Sequence, residues 1–135
     1  MPENLAYALI QLVHNFGAVA VIGVPAFALR AEASADADAR LRWLVGAAWA
    51  AQIASGAGFG AVSLHYYGQL PDIHGVAVGA LYLKIACAVA GLTLIAAAGA
   101  RARGSSAGRG RLVWRVLLVL GTTALAAAAF LRWFS

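Results

Sequence analysis

The chain has 135 residues, enough for one domain, of which 63% are hydrophobic and only 11% charged. A water-soluble domain of this size carries far more polar surface, so an ordinary soluble enzyme or binding domain is excluded. The formal net charge of +5 and the pI near 10.2 would suit a nucleic-acid partner, but the placement of the arginines assigns them to membrane topology instead.

Four apolar stretches, about 5–29, 44–64, 75–100 and 112–131, each reach the roughly 20 residues that a membrane-spanning helix needs. Abundant alanine and glycine suit close helix packing in lipid, and the period-two alternation of a β-barrel is absent. The expected fold is all-α: an integral-membrane four-helix bundle, antiparallel up-down, forming one domain over residues 1–135.

No lysine or arginine precedes the first stretch, and its apolar run outlasts that of a signal peptide, so it reads as a retained helix. Within "LVHNFGAV", His14 interrupts the run. Gln11, His14 and Ala18 follow i, i+3, i+4 spacing, with Asn15 beside them and Gly17 allowing close approach. Pro25 lacks an amide donor and should bend or loosen the helix near its arginine end. The connection "RAEASADADAR" is rich in good helix formers and should extend a helix beyond the membrane.

In the second stretch Gln52, Gly56 and Gly60 are successive i+4 neighbours, with Ser55 and Ser63 flanking them. "GAGFGA" lies inside an apolar helix, so Gly56 and Gly60 read as a GxxxG packing face, not a dinucleotide fingerprint. The turn "HYYGQLPDIHG" follows. His65 and His74 flank eight residues and could approach within metal-binding distance, while Asp72 also suits a helix cap and Tyr66 and Tyr67 suit an interfacial belt.

Gly75 and Gly79 repeat the small-residue spacing in the third stretch, which also holds Lys84 and the single cysteine, Cys87. One cysteine excludes internal disulfides and cysteine-based zinc clusters. "RARGSSAGRGR" reads as a linker to the fourth stretch. Neither paired carboxylates nor a nucleophile–base pair is evident, so no residue is assigned as catalytic, and any chemistry must come from a cofactor.

The connections after the first and third stretches, with Arg115 just beyond, carry eight arginines, against Arg132 alone on the other side. By the positive-inside rule these connections face the cytoplasm and both termini lie on the non-cytoplasmic side. The expected location is the inner (cytoplasmic) membrane of a bacterium, with the lipid bilayer as partner and no nucleic acid.

His14 and Lys84 each lie about nine residues in from the non-cytoplasmic end of their stretches, a shared depth of about 14 Å at 1.5 Å per residue. Ionisable groups in an apolar helix are costly and mark interior faces, often sites. His14 suits a hydrogen bond to Gln52 or to a backbone carbonyl that holds helices together. A buried imidazole also suits iron or copper, and haem in bundles is held from facing helices. On that reading Gln11, His14, Gln52 and Lys84 form the cofactor pocket, with His14, His65 and His74 as candidate metal ligands.

Four short helices, the histidine of "LVHNFGAV" and the lysine of "GALYLKI" resemble the HemJ and CopD-type membrane proteins. The resemblance covers the whole chain in outline and rests residue by residue on His14 and Lys84. HemJ-type proteins bind haem b and oxidise protoporphyrinogen; CopD-type domains are linked to copper handling. The chain departs from HemJ at "AVIGVPAFALR" and "ARLRW". The expectation taken forward is a haem b protein of electron transfer, linked to quinone. A cofactor-free accessory subunit of a larger membrane complex, a homo-oligomer of it, and a protoporphyrinogen oxidase are the alternatives.

Overall fold

In a computed structural model of the chain, residues 2–31, 34–101 and 107–134 are described. They form four helices: α1 (Pro2–Arg30), α2 (Ala35–Tyr67), α3 (Val76–Arg101) and α4 (Ala107–Trp133). Each helix contains its expected apolar stretch, except that Gly75 falls in the turn before α3, where its φ of 52° suits a residue without Cβ. Residues 102–106 of the expected linker lie outside the described residues.

Three helices are long and apolar enough to cross a membrane: α1, α3 over Val76–Ala100 and α4 over Gly110–Trp133. The expectation of four such helices therefore holds for three. α2 is the longest, at 33 residues or about 50 Å. Its hydropathy is diluted by glycines, by Gln52, Ser55 and Ser63, and by its charged first turns.

The segment expected to extend a helix does so, as the start of α2. Ser34 is the N-cap, its hydroxyl accepting from the Ala37 amide at 3.3 Å, and Asp36 and Asp38 complement the helix dipole. At the other end Gly68 takes the left-handed conformation, φ 71°, and its amide bonds Leu64. Pro25 is fully buried, and α1 remains helical through it.

The antiparallel register is fixed by side-chain pairs: Ile10 meets Gly58, and Trp49 meets Gly91. α1 packs along α2, and α3 along α4; these two hairpins join through α1 with α4 and, less extensively, α2 with α3. The core lies toward the arginine-rich half, around Val45 and Leu117, both 0% exposed, Trp49 at 1% and Trp114. Close crossings use residues without Cβ. A Cβ on Gly121 would lie 2.8 Å from the Val21 carbonyl oxygen, and one on Gly91 would lie 2.9 Å from the Trp49 indole.

The outward surface is strongly apolar. Phe16 is 69% exposed and Val19 70%, with Leu5, Leu9, Leu12 and Phe27 also exposed on α1 alone. Among the described residues Gly56 and Gly79 have no neighbour that a Cβ would meet, so neither GxxxG face is packed against them. Gly60 approaches only Leu70, in the turn after α2.

Candidate functional site

His14 sits on the buried stripe of α1 that continues through Gly17, Val21, Pro25 and Ala28. Across it, α2 presents Gln52, Ser55 and Ser63 inward. At about 100° per residue, Ser55 lies some 60° to one side of Gln52 and Gly56 some 40° to the other. Packing against α1 selects the Ser55 side. The expected Gln52–Gly56–Gly60 face is thus rotated: Gln52 is buried but Gly56 is exposed.

Two bonds tie His14 to α2. The Gln52 side-chain amide donates to the His14 backbone carbonyl, and the ring Nδ1 lies 2.7 Å from the Ser55 hydroxyl. A Cβ on Gly17 would fall 2.6 Å from Gln52 Nε2, so the absence of a side chain at position 17 is what lets Gln52 reach over α1. Sequence reasoning anticipated His14 bonded to Gln52 or to a carbonyl. The structure joins Gln52 to the main chain of His14 and gives the ring to Ser55.

The ring's other nitrogen meets α3. Lys84 Nζ lies 2.8 Å from His14 Nε2, although α1 and α3 do not pack backbone against backbone. The shared depth read from the sequence therefore corresponds to direct contact. Phe59 closes the site edge-on to the imidazole, with centroids 5.6 Å apart at 72°, and itself stacks with Tyr7.

One proton assignment satisfies every hydrogen bond at the ring. The one hydroxyl proton of Ser55 is donated along its own helix, to the Ala51 carbonyl. Ser55 must then accept from His14, which places the proton on Nδ1 and leaves the Nε2 lone pair toward Lys84. Nε2 is then the ring nitrogen that faces the amine of Lys84.

No protein family, curated protein or solved structure matches the chain.

The remaining candidates lie elsewhere. Gln11 is exposed on the opposite shoulder of α1, where its amide donates to Asn15 at 2.6 Å, so it does not join His14. The reason is the same helical geometry: Gln11 and Gly17 flank His14 by about 60° on opposite sides, and the Gly17 side is the one that packs. His65 packs edge-on to Tyr66, and exposed His74 lies 3.2 Å from Asp72. Among the described residues no three His, Cys, Asp or Glu side chains converge. Cys87 is buried and free. Phe59 was not anticipated; its inward position, two turns from Gln52, was the available signal.

Proposed function

We propose that this is a multi-pass inner-membrane protein that binds haem b through His14 and takes part in quinone-linked electron transfer. The observation that carries this reading is the orientation of His14. An imidazole whose Nδ1–H is held by Ser55, with its Nε2 lone pair turned to the bundle interior, has the arrangement of a haem or metal ligand steadied by a hydrogen-bonded partner. The apolar outward surface and the three long apolar helices support the membrane setting. Residues that would hold the group are His14, through Nε2, and Lys84, which faces that nitrogen and would give up the contact to pair with an acidic group of the cofactor. Haem supplies the one-electron chemistry when bound; the chain's part is to orient the imidazole, pack Phe59 against the ring, and place a lysine beside it.

The test is the absorption spectrum of the chain purified from membranes, with and without added haemin. A Soret band is expected, lost in His14→Ala and retained in His74→Ala. Absence of a band in both preparations overturns the proposal; a band that survives His14→Ala but vanishes in His74→Ala moves the site to the surface turn.

A second reading, an accessory subunit without a cofactor, is favoured by the outward-facing Gly23, Gly56 and Gly79, where an added Cβ would meet nothing among the described residues. Close approach at small residues is how helices associate in lipid. A colourless chain that co-purifies with a stoichiometric membrane partner is the outcome that selects it.

A further inference from the structure

Along the seam of the α1–α2 hairpin the outer surface carries two open hollows, which follow one another as segments of one shallow furrow. The larger segment, about 370 Å³, is floored by Gly17, Ala20, Ala47 and Ala51 and walled by Phe16 and Leu44. The other, about 320 Å³, follows toward the arginine-rich end between Phe27 and Leu41, and Arg40 lines it. Arg40 has no hydrogen-bond or ion-pair partner among the described residues, whereas Arg42, two residues on, is engaged by Asp38.

We propose that this furrow seats an acyl chain of an acidic phospholipid whose phosphate rests on Arg40. The proposal rests on the membrane reading above but not on haem. Charge complementarity is one argument: an apolar slot ending in one unpaired guanidinium matches an anionic head on a hydrocarbon tail, and Arg suits phosphate geometry. Length is the other. From Arg40 to Ala51 the helix rises about 16 Å, about half of a hydrocarbon core roughly 30 Å thick, so an acyl chain that fills one leaflet is long enough to follow the furrow from Arg40 to Ala51. Small side chains on the floor, flanked by larger ones, leave a trough that a single flexible chain fills.

The experiment begins with the full chain. It must stay with the membrane in alkaline carbonate and need detergent for release; recovery without detergent overturns the membrane reading itself, before any lipid is added. Native mass spectrometry of the detergent-solubilised protein then compares added phosphatidylglycerol with phosphatidylcholine of the same chains. Phosphatidylglycerol is expected to be retained about five-fold better, the effect of about one basic side chain at a charged surface. Arg40→Gln removes that preference, while Arg111→Gln, at another exposed arginine of the same bundle end, keeps it. Ala47→Leu fills the trough and lowers retention of both lipids. Equal retention of the two lipids by the natural chain, equal losses in Arg40→Gln and Arg111→Gln, or unchanged binding in Ala47→Leu overturns the proposal. A tightly bound polypeptide that Ala47→Leu releases, with no lipid retained, assigns the furrow to a protein partner and also overturns it.

Discussion

Ser55 holds a central place because a hydroxyl has one proton and Ser55 gives it to its own helix. Replacing Ser55 with alanine removes the acceptor for His14 Nδ1–H, and the ring loses its reason to keep the proton there. In ¹⁵N spectra of histidine-labelled protein, the natural chain is expected to show His14 with Nδ1 protonated and Nε2 bare. Ser55→Ala should mix the two tautomers, and Ser55→Thr, which keeps a hydroxyl, should restore the first. An unchanged pattern in Ser55→Ala would remove Ser55 from this role. A second residue-level consequence concerns Tyr67, beyond the apolar stretch of α2, whose hydroxyl donates to the Glu3 carboxylate. That bond, then the nearby negative charge, raises the phenol above its ordinary value of 10.0. A raised folded-state value means that the contact contributes fully below the ordinary tyrosine range and is lost as pH rises through the raised value. Ultraviolet titration should find one tyrosine ionising later than the others, and Glu3→Gln should bring it back.

At the scale of elements, Asp38 joins α2 to α4 across the bundle. Its carboxylate accepts from the Trp114 indole at 2.8 Å and from Arg42 on its own helix. Trp114 is buried, so Asp38→Ala leaves an indole N–H without a partner, at a cost of about 1–3 kcal/mol. Asp38→Asn keeps an acceptor for Trp114 and gives up mainly the partly exposed i, i+4 pair with Arg42, worth about 0.3–0.5 kcal/mol. Thermal unfolding in detergent should therefore rank the natural chain above Asp38→Asn and that above Asp38→Ala; equal losses in the two variants would show that Trp114 gains nothing from the contact. The helices themselves were legible in the sequence, because long apolar runs bounded by arginines leave few alternatives. So was the meeting of His14 with Lys84, because depth in a spanning helix can be counted. Helix rotation was not legible. Gln11 and Gly17 flank His14 symmetrically, as Gly56 and Ser55 flank Gln52, and only packing between α1 and α2 chooses between the shoulders.

For the whole molecule, the proposed membrane setting makes a prediction about the number of crossings. α2 has the length but lacks the hydropathy of the other three helices, and its polar groups are the ones that α1 and the turn after α2 engage. Inside a bundle those groups are satisfied, so the helix can cross as part of an assembled hairpin even though its composition alone is less favourable. Four crossings put both termini on one side; three would separate them. Reporter fusions at the two ends are expected to agree with each other and to disagree with one placed in the connection at 102–106. Termini on opposite sides would leave α2 as a non-spanning helix.

The two polar contacts that cross the interior, His14 with Lys84 and Asp38 with Trp114, share a property beyond their chemistry. Each has one member in the first helical hairpin and one in the second, on opposite diagonals. In lipid, apolar helix faces are as well solvated by acyl chains as by each other, so they provide little means for two hairpins to recognise one another. Polar groups stranded in hydrocarbon do. The chain therefore carries a two-point key for assembling itself from halves. Residues 1–70 and 71–135, made as separate polypeptides, should find each other in the membrane, and a mismatch at either point should leave two hairpins drifting apart.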